Sequence, residues 1–190
     1  MRFRDRVKRP KRPVVVYEIL PPREKDGALN SYAEMISSLL SQTHIDAINI
    51  PEIHEEAGRG ERPVEGVERA EPRKFGKMIQ DVVGIEAIIN RVSVHETKEL
   101  QMKWFKETYN EFEIENVILV GGESGKIEYM GPSVNEMAQL VLDNSKSGDI
   151  DVFCGGITIP SREIESARLI KKAESGVEYF TSQVLYESEN

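Results

Sequence analysis

Six short apolar runs alternate with segments of helical period along this chain, and that alternation limits the fold more than any other feature. The runs are VVVYEIL (14–20), IDAINI (45–50), GIEAIINRVSV (84–94), NVILVG (116–121), DVFCGGITI (151–159) and VEYFTSQVLY (177–186). Apolar residues near a 3.6 period predict helices over Gly27–Gln42, Thr97–Phe112, from Ser133 to about Gly148, and from Ser161 to Gly176. Ser133 and Glu136 form a capping box, Ser161 is a second candidate cap, and Gly176 is a natural stop. The last helix should bury Ile164, Ala167, Leu169, Ile170 and Ala173. Residues 51–74 are polar and rich in Glu, Arg, Gly and Pro; they read as a long loop, with a helix before the third run. Strands that alternate with helices pair in parallel through right-handed crossovers. Six of them fit a doubly wound sheet or part of a (β/α)8 barrel. The chain has neither a G-x-G-x-x-G after the first strand nor a Walker phosphate loop; GGESGK (121–126) lacks the required spacing.

Polar residues gather where the strands end: Glu18, Asn49, Asn90, Glu123 and Gln183. Barrel active sites lie at that end. Side chains alternate along a strand, so Val14, Val16 and Glu18 share a face. Turned inward, that face places Glu18 at the barrel mouth, where partial desolvation raises a carboxyl pKa and suits it to donate a proton. The alternative is a carboxylate paired with a nearby Arg or Lys, or a strand read one register off.

Charge divides the chain in two. Residues 1–12 carry seven basic side chains and one Asp, a net of +6, against −8 for all 190 residues, leaving −14 for the rest. Residues 1–13 therefore read as a basic arm and 14–190 as the barrel-forming part. Such an arm can contact nucleic acid or an anionic membrane, or can pack on its own acidic body. The lack of interleaved aromatic and basic residues favours the last, with neither nucleic acid nor membrane as partner. No apolar run approaches a membrane span, and no signal-peptide h-region is visible. Cys154 is the single cysteine, and a reducing cytoplasm is the expected location. It reads as a buried small side chain. His44, His54 and His95 are too scattered to suggest a metal site, and none is expected.

Four stretches carry a family resemblance. YEILPPR (17–23) resembles the first-strand signature of the methylenetetrahydrofolate reductase family. NVILVGGESG (116–125) is similar to its fourth strand, LIKKAESG (169–176) to the helix before its sixth strand, and GVEYFTSQVLYE (176–187) to that strand. They occur in the family's order at about its spacing. The resemblance implies a (β/α)8 barrel that binds FAD and passes hydride from NAD(P)H through the flavin to methylenetetrahydrofolate, an activity of one-carbon metabolism and methionine biosynthesis. It implies that Glu18 protonates the folate and that Gln183 hydrogen-bonds the pterin. It places Glu123 near both flavin and pterin, and Asn90, Gly122, Glu165, Lys171 and Lys172 at the flavin. Lys171, Lys172 and the helix start at Ser161 would meet the pyrophosphate.

The chain also departs from the family pattern. Glu123 stands where the family has Asp, and Asn90 or Arg91 stands near its third-strand His. The Tyr and His that often follow strand five are missing from CGGITIPSR (154–162). A family barrel has two more β/α units after residue 186, so about six units are expected here. That expectation leaves open a longer natural chain, or closure by a homo-oligomer or a completing subunit. A non-catalytic subunit or binding module derived from the family is the alternative to a reductase of methylenetetrahydrofolate or a related pterin.

Overall fold

The computed structural model describes residues 1–23, 29–40, 43–53, 69–122, 128–183 and 185. Six strands, β1 (Val16–Glu18), β2 (Ala47–Pro51), β3 (Glu86–Val92), β4 (Asn116–Val120), β5 (Phe153–Thr158) and β6 (Tyr179–Ser182), alternate with helices. The helices are α1 (Phe3–Lys8), α2 (Leu29–Leu40), α3 (Pro72–Val83), α4 (Lys98–Asn110), α5 (Val134–Ser147) and α6 (Glu165–Glu174). Every strand pairs in parallel with its sequence neighbour, in the order β1-β2-β3-β4-β5-β6. A doubly wound sheet would reverse that order partway. The sheet is instead a curled half-barrel, an incomplete (β/α)8 fold.

Local chemistry sets the helix ends. Thr97 caps α4, and Glu71 caps α3 with Pro72 following it. Ser133 and Glu136 form the expected reciprocal capping box on α5. Gly84 and Gly148 end α3 and α5 at φ of 74° and 85°, a region that a side chain would make costly. The expectation fails at α6. Its N-cap is Ile164, with no side-chain cap bond, so Ser161 does not start the helix.

Strand alternation sorts the core into two layers. Outward residues such as Ile48, Ile50, Ile89 and Leu119 pack beneath the helices with Phe75, Phe105 and Met137. Inward residues Ala47, Ile88, Ile118, Phe153 and Tyr179 form a second cluster inside the curl. Phe153 stacks on Tyr179 at 4.5 Å between ring centroids, and Phe3 meets both edge-on at 6.1 and 5.7 Å. A Cβ at Gly155 would lie 2.5 Å from the Tyr179 ring, which is stacked on Phe153. Gly155→Ala is therefore expected to destabilise the fold by about 1–3 kcal/mol, read from chemical denaturation.

Phe3 arrives from α1, so the first residues are a helix plugging the strand N-terminal end. Five of the seven basic residues among the first twelve meet an acid that leads into a strand. Arg2 reaches Glu115 before β4 at 3.1 Å and Arg4 reaches Asp151 before β5 at 2.6 Å. Lys8 pairs with Glu178 before β6, and Arg6 and Arg12 pair with Asp46 before β2. The Phe3 backbone N–H donates to Glu86 of β3 at 2.7 Å. The excess charge of the arm is thus spent against the acidic foot of the sheet.

The two ends of the open sheet differ from expectation. Among the described residues β1 has a neighbour on one side only, and Val15, Val16 and Tyr17 are exposed where a buried strand is predicted. Along α6 only Glu165 is buried, and the predicted apolar face is largely exposed, with Ile170 60% accessible. No further helix lies beside α6 among the described residues. The predicted loop 51–74 includes the last residue of β2 and the first turn of α3; residues 54–68 lie outside the described part.

Candidate functional site

The strand C-terminal ends form one rim, where four of the five polar residues predicted from sequence, Glu18, Asn49, Asn90 and Gln183, can be placed. Glu18 ends β1, and its Cα partner across the ladder is Asn49. Asn49 Nδ2 donates to Glu18 Oε2 at 2.8 Å. A carboxylate only accepts, so this bond fixes which end of the Asn49 amide faces Glu18. Asn49 is 7% exposed, and its Oδ1 is buried with no hydrogen-bond partner among the described residues. Asn90, on the inward face of β3, also has a buried Oδ1 without a partner among them. A buried acceptor left without a donor costs about 1–3 kcal/mol, so both oxygens favour a visiting N–H.

Glu18 itself is exposed, not partly desolvated as predicted. The reason is the open edge: nothing flanks β1 opposite β2 among the described residues. The carboxylate lies at the mouth, and its partner among the described residues is an amide.

Arg91, adjacent to Asn90, points the other way. It is buried, donates to Gln101 Oε1 at 2.9 Å and Glu52 Oε1 at 2.6 Å, and lies over the Trp104 ring at 4.8 Å. Glu52 Oε2 also accepts from the Val92 N–H at 3.0 Å. This network pins the end of β2 to β3 and α4, behind the inward-facing Asn49 and Asn90. Nothing in the sequence pattern marked Glu52 as an anchor, because its partners are 39 and 40 residues away.

Beyond β4, Gly122 lies under the Tyr129 ring, and a Cβ there would come within 2.2 Å of it. Tyr129 in turn lies 5.9 Å from the His95 ring. Glu123 is outside the described residues. Gln183 follows β6; it is exposed, and its N–H continues the ladder to Thr158 O at 3.1 Å.

The α6 residues divide. Glu165 is 4% exposed and accepts from the Ile159 N–H at 3.1 Å. Lys172 lies 3.8 Å from Glu165 and donates to Ile157 O. Burial pushes the Glu165 pKa up, but the Ile159 N–H and the Lys172 charge outweigh it, leaving the carboxyl below its usual value. Burial, with Arg162 and Arg168 nearby, holds the Lys172 ammonium below its usual value despite Glu165. Lys172 is thus engaged in holding α6 to β5, while Arg162, Arg168 and Lys171 are exposed around it. Arg168 is a cation that the sequence analysis did not single out. Cys154 is buried on β5, and burial followed by the Glu178 charge pushes its thiol up to about 12, so it stays protonated.

The chain matches no protein-family model and no curated protein sequence. Its fold is similar to that of an uncharacterised protein from Clostridium thermocellum that binds two copies of 5-methyl-5,6,7,8-tetrahydrofolic acid. The TM-score is 0.73 at 18% identity, over 98% of this chain and 59% of that one. It is also similar to 2,3-dimethylmalate lyase, a member of the PEP mutase/isocitrate lyase superfamily, with a TM-score of 0.62 at 12% identity over 98% and 61% of the two chains. This chain therefore spans about three-fifths of the length of these structures. At such identities the likeness establishes the barrel architecture. Among the described residues, no helix is long and apolar enough to cross a membrane.

Proposed function

We propose that this chain supplies the folate-binding rim of a flavin-dependent reductase, one that converts methylenetetrahydrofolate or a related pterin to its methyl form with NAD(P)H as reductant. The observation that carries this reading is the Glu18 carboxylate at the barrel mouth, on the strand whose YEILPPR resembles the reductase signature, held by Asn49. The likeness in fold to a barrel that binds 5-methyltetrahydrofolate supports a reduced folate as the ligand.

The residues present fit FAD. The donorless buried oxygen of Asn90 suits a ring N–H of the flavin. Exposed Arg168 and Lys171, with Arg162, suit its pyrophosphate. Lys172 and Glu165 act one step back, anchoring the helix that carries those cations. When bound, the flavin supplies hydride transfer.

Glu18 has the role of proton donor to the folate nitrogen whose loss opens the five-membered ring. Asn49 holds the carboxyl at the mouth, and Gln183 and Glu123 are assigned to the pterin. A substrate lying on Glu18 would exclude the water that now reaches it, leaving the folate nitrogen as its partner for proton transfer.

Titration with FAD, followed by absorbance near 450 nm and by 5-methyltetrahydrofolate binding calorimetry, tests the reading. Saturable binding of both is expected. Lys171→Glu should weaken FAD binding with little effect on the fold, since Lys171 is exposed; unchanged affinity would show the phosphates to lie elsewhere. A protein that binds the folate yet never takes up FAD would be a non-catalytic folate-binding barrel. The engagement of Lys172 with Glu165 is the observation that favours that second reading. Absence of folate binding would refute both.

A further inference from the structure

We propose that Asn49 is the residue that reads the exocyclic amino group of the pterin: held by Glu18 through its own amide nitrogen, it offers its buried carbonyl oxygen to one N–H of that group. The inference rests on the folate reading and names a specificity-determining contact within it.

Three observations lead to it. Asn49 is polar within an otherwise apolar run and lies on the inward face of β2, level with Glu18 in the ladder. Its side chain is nine-tenths buried, so its conformation is imposed by its surroundings. Its Nδ2 donates to Glu18 Oε2, so Oδ1 faces away from that oxygen and has no donor among the described residues. A buried amide that makes half of its hydrogen bonds is costly to keep unless something completes it. The completing group must be a donor, must lie across the Asn49 amide from the Glu18 carboxylate, and on the folate reading belongs to a flat ring able to enter the mouth. The aminopyrimidine edge of a pterin meets all three conditions. A site built to bond such a donor rejects an analogue lacking it far more strongly than an apolar pocket rejects a change in size.

The same geometry gives Glu18 a second effect. It orients the Asn49 amide, so a Glu18 variant should blur recognition of a group that Glu18 never touches.

The test compares binding of 5-methyltetrahydrofolate with that of its 2-desamino-2-methyl analogue, by calorimetry, with circular dichroism and thermal melts as controls for folding. Wild-type protein is expected to prefer the amino compound by ~10-fold or more. Asn49→Leu keeps the volume and removes both hydrogen bonds; its preference should fall to within about twofold. Glu18→Ala, at an exposed position that tolerates truncation, should lower the preference by about threefold or more, and it decides the matter if Asn49→Leu does not fold. A full wild-type preference retained in folded Asn49→Leu, or in Glu18→Ala, overturns the assignment while leaving the folate reading intact. Wild-type protein that binds the folate but shows no preference also overturns it. Wild-type protein that binds neither compound refutes the folate reading itself, and the assignment with it.

Discussion

On the proposed reductase reading, reduction of methylenetetrahydrofolate in the Glu18→Gln variant is expected to fall by about 10²–10⁴, while FAD content and the oxidation of NAD(P)H stay at wild-type levels. General acid catalysis contributes on that order, and Gln preserves the shape and the acceptor for Asn49 Nδ2 while removing the transferable proton. The two half-reactions separate because reduction of the flavin needs only hydride, whereas the folate must also be protonated to open its ring. Glu18 is exposed and contributes no apolar contact to either core cluster, so its replacement should leave thermal stability nearly unchanged. Stopped-flow measurement of each half-reaction gives the answer. Equal loss of both would make Glu18 a structural carboxylate. An unchanged folate step would place the acid elsewhere on the rim.

Phe3→Ala is expected to cost about 3–5 kcal/mol of stability, which for a chain of this size lowers the melting temperature by about 10 °C or more. Phe3 is 2% exposed and is the apolar keystone of the inner cluster, in contact with Phe153 and Tyr179. Its truncation opens a cavity against the edge-on contact with the stacked Phe153 and Tyr179 rings. It also loosens α1, whose ion pairs reach the feet of β2, β4, β5 and β6. These pairs are partly exposed, and each alone contributes little, so the helix depends on Phe3 to hold them in place. A loss below about 1 kcal/mol in a calorimetric melt would mean that α1 rests on the sheet without supporting it.

The same clasp carries an acid dependence. Burial pushes the Asp46 pKa up, but the Val15 N–H and the Arg12 and Arg6 guanidinium groups overcome it and hold the carboxyl down at about 2, against an ordinary 3.8. A group whose folded pKa is depressed stabilises the fold above its unfolded pKa and loses that contribution as pH falls through the folded value. The Asp46 contribution is therefore complete above pH 3.8 and disappears as pH drops through about 2. Asp46→Asn should flatten the acid limb of the stability profile in that window. An unaltered limb would locate the acid sensitivity in another carboxylate.

Much of the architecture was written locally. Alternation of apolar runs with helical periods determined that the strands would be parallel, and the Thr97, Ser133–Glu136 and Gly148 signals marked helix ends, because a cap or a left-handed turn is decided within a few residues. Polar residues at strand ends likewise picked out the rim, since side-chain alternation alone places Glu18, Asn49 and Asn90 on one face. Whether the sheet would curl or reverse was not local. It depended on which strands became neighbours, and only the ladder order settled it.

The states of the individual site residues were decided by tertiary contacts. Glu18 looked buried because its neighbours in sequence are apolar; it is exposed because, among the described residues, β1 is an edge strand with no neighbour on one flank. Ile164 and Ile170 had helical spacing, yet face solvent for the same reason at the other end. Lys171 and Lys172 are adjacent and chemically identical, but only Lys172 is drawn to the buried Glu165, since successive residues on a helix point about 100° apart. The bond between Asn49 and Glu18 joins residues 31 apart. Sequence supplied the amide and the acid, and the parallel register of β1 on β2 brought them within reach: a hydrogen bond requires a distance, and a linear chain specifies none beyond its own local turns.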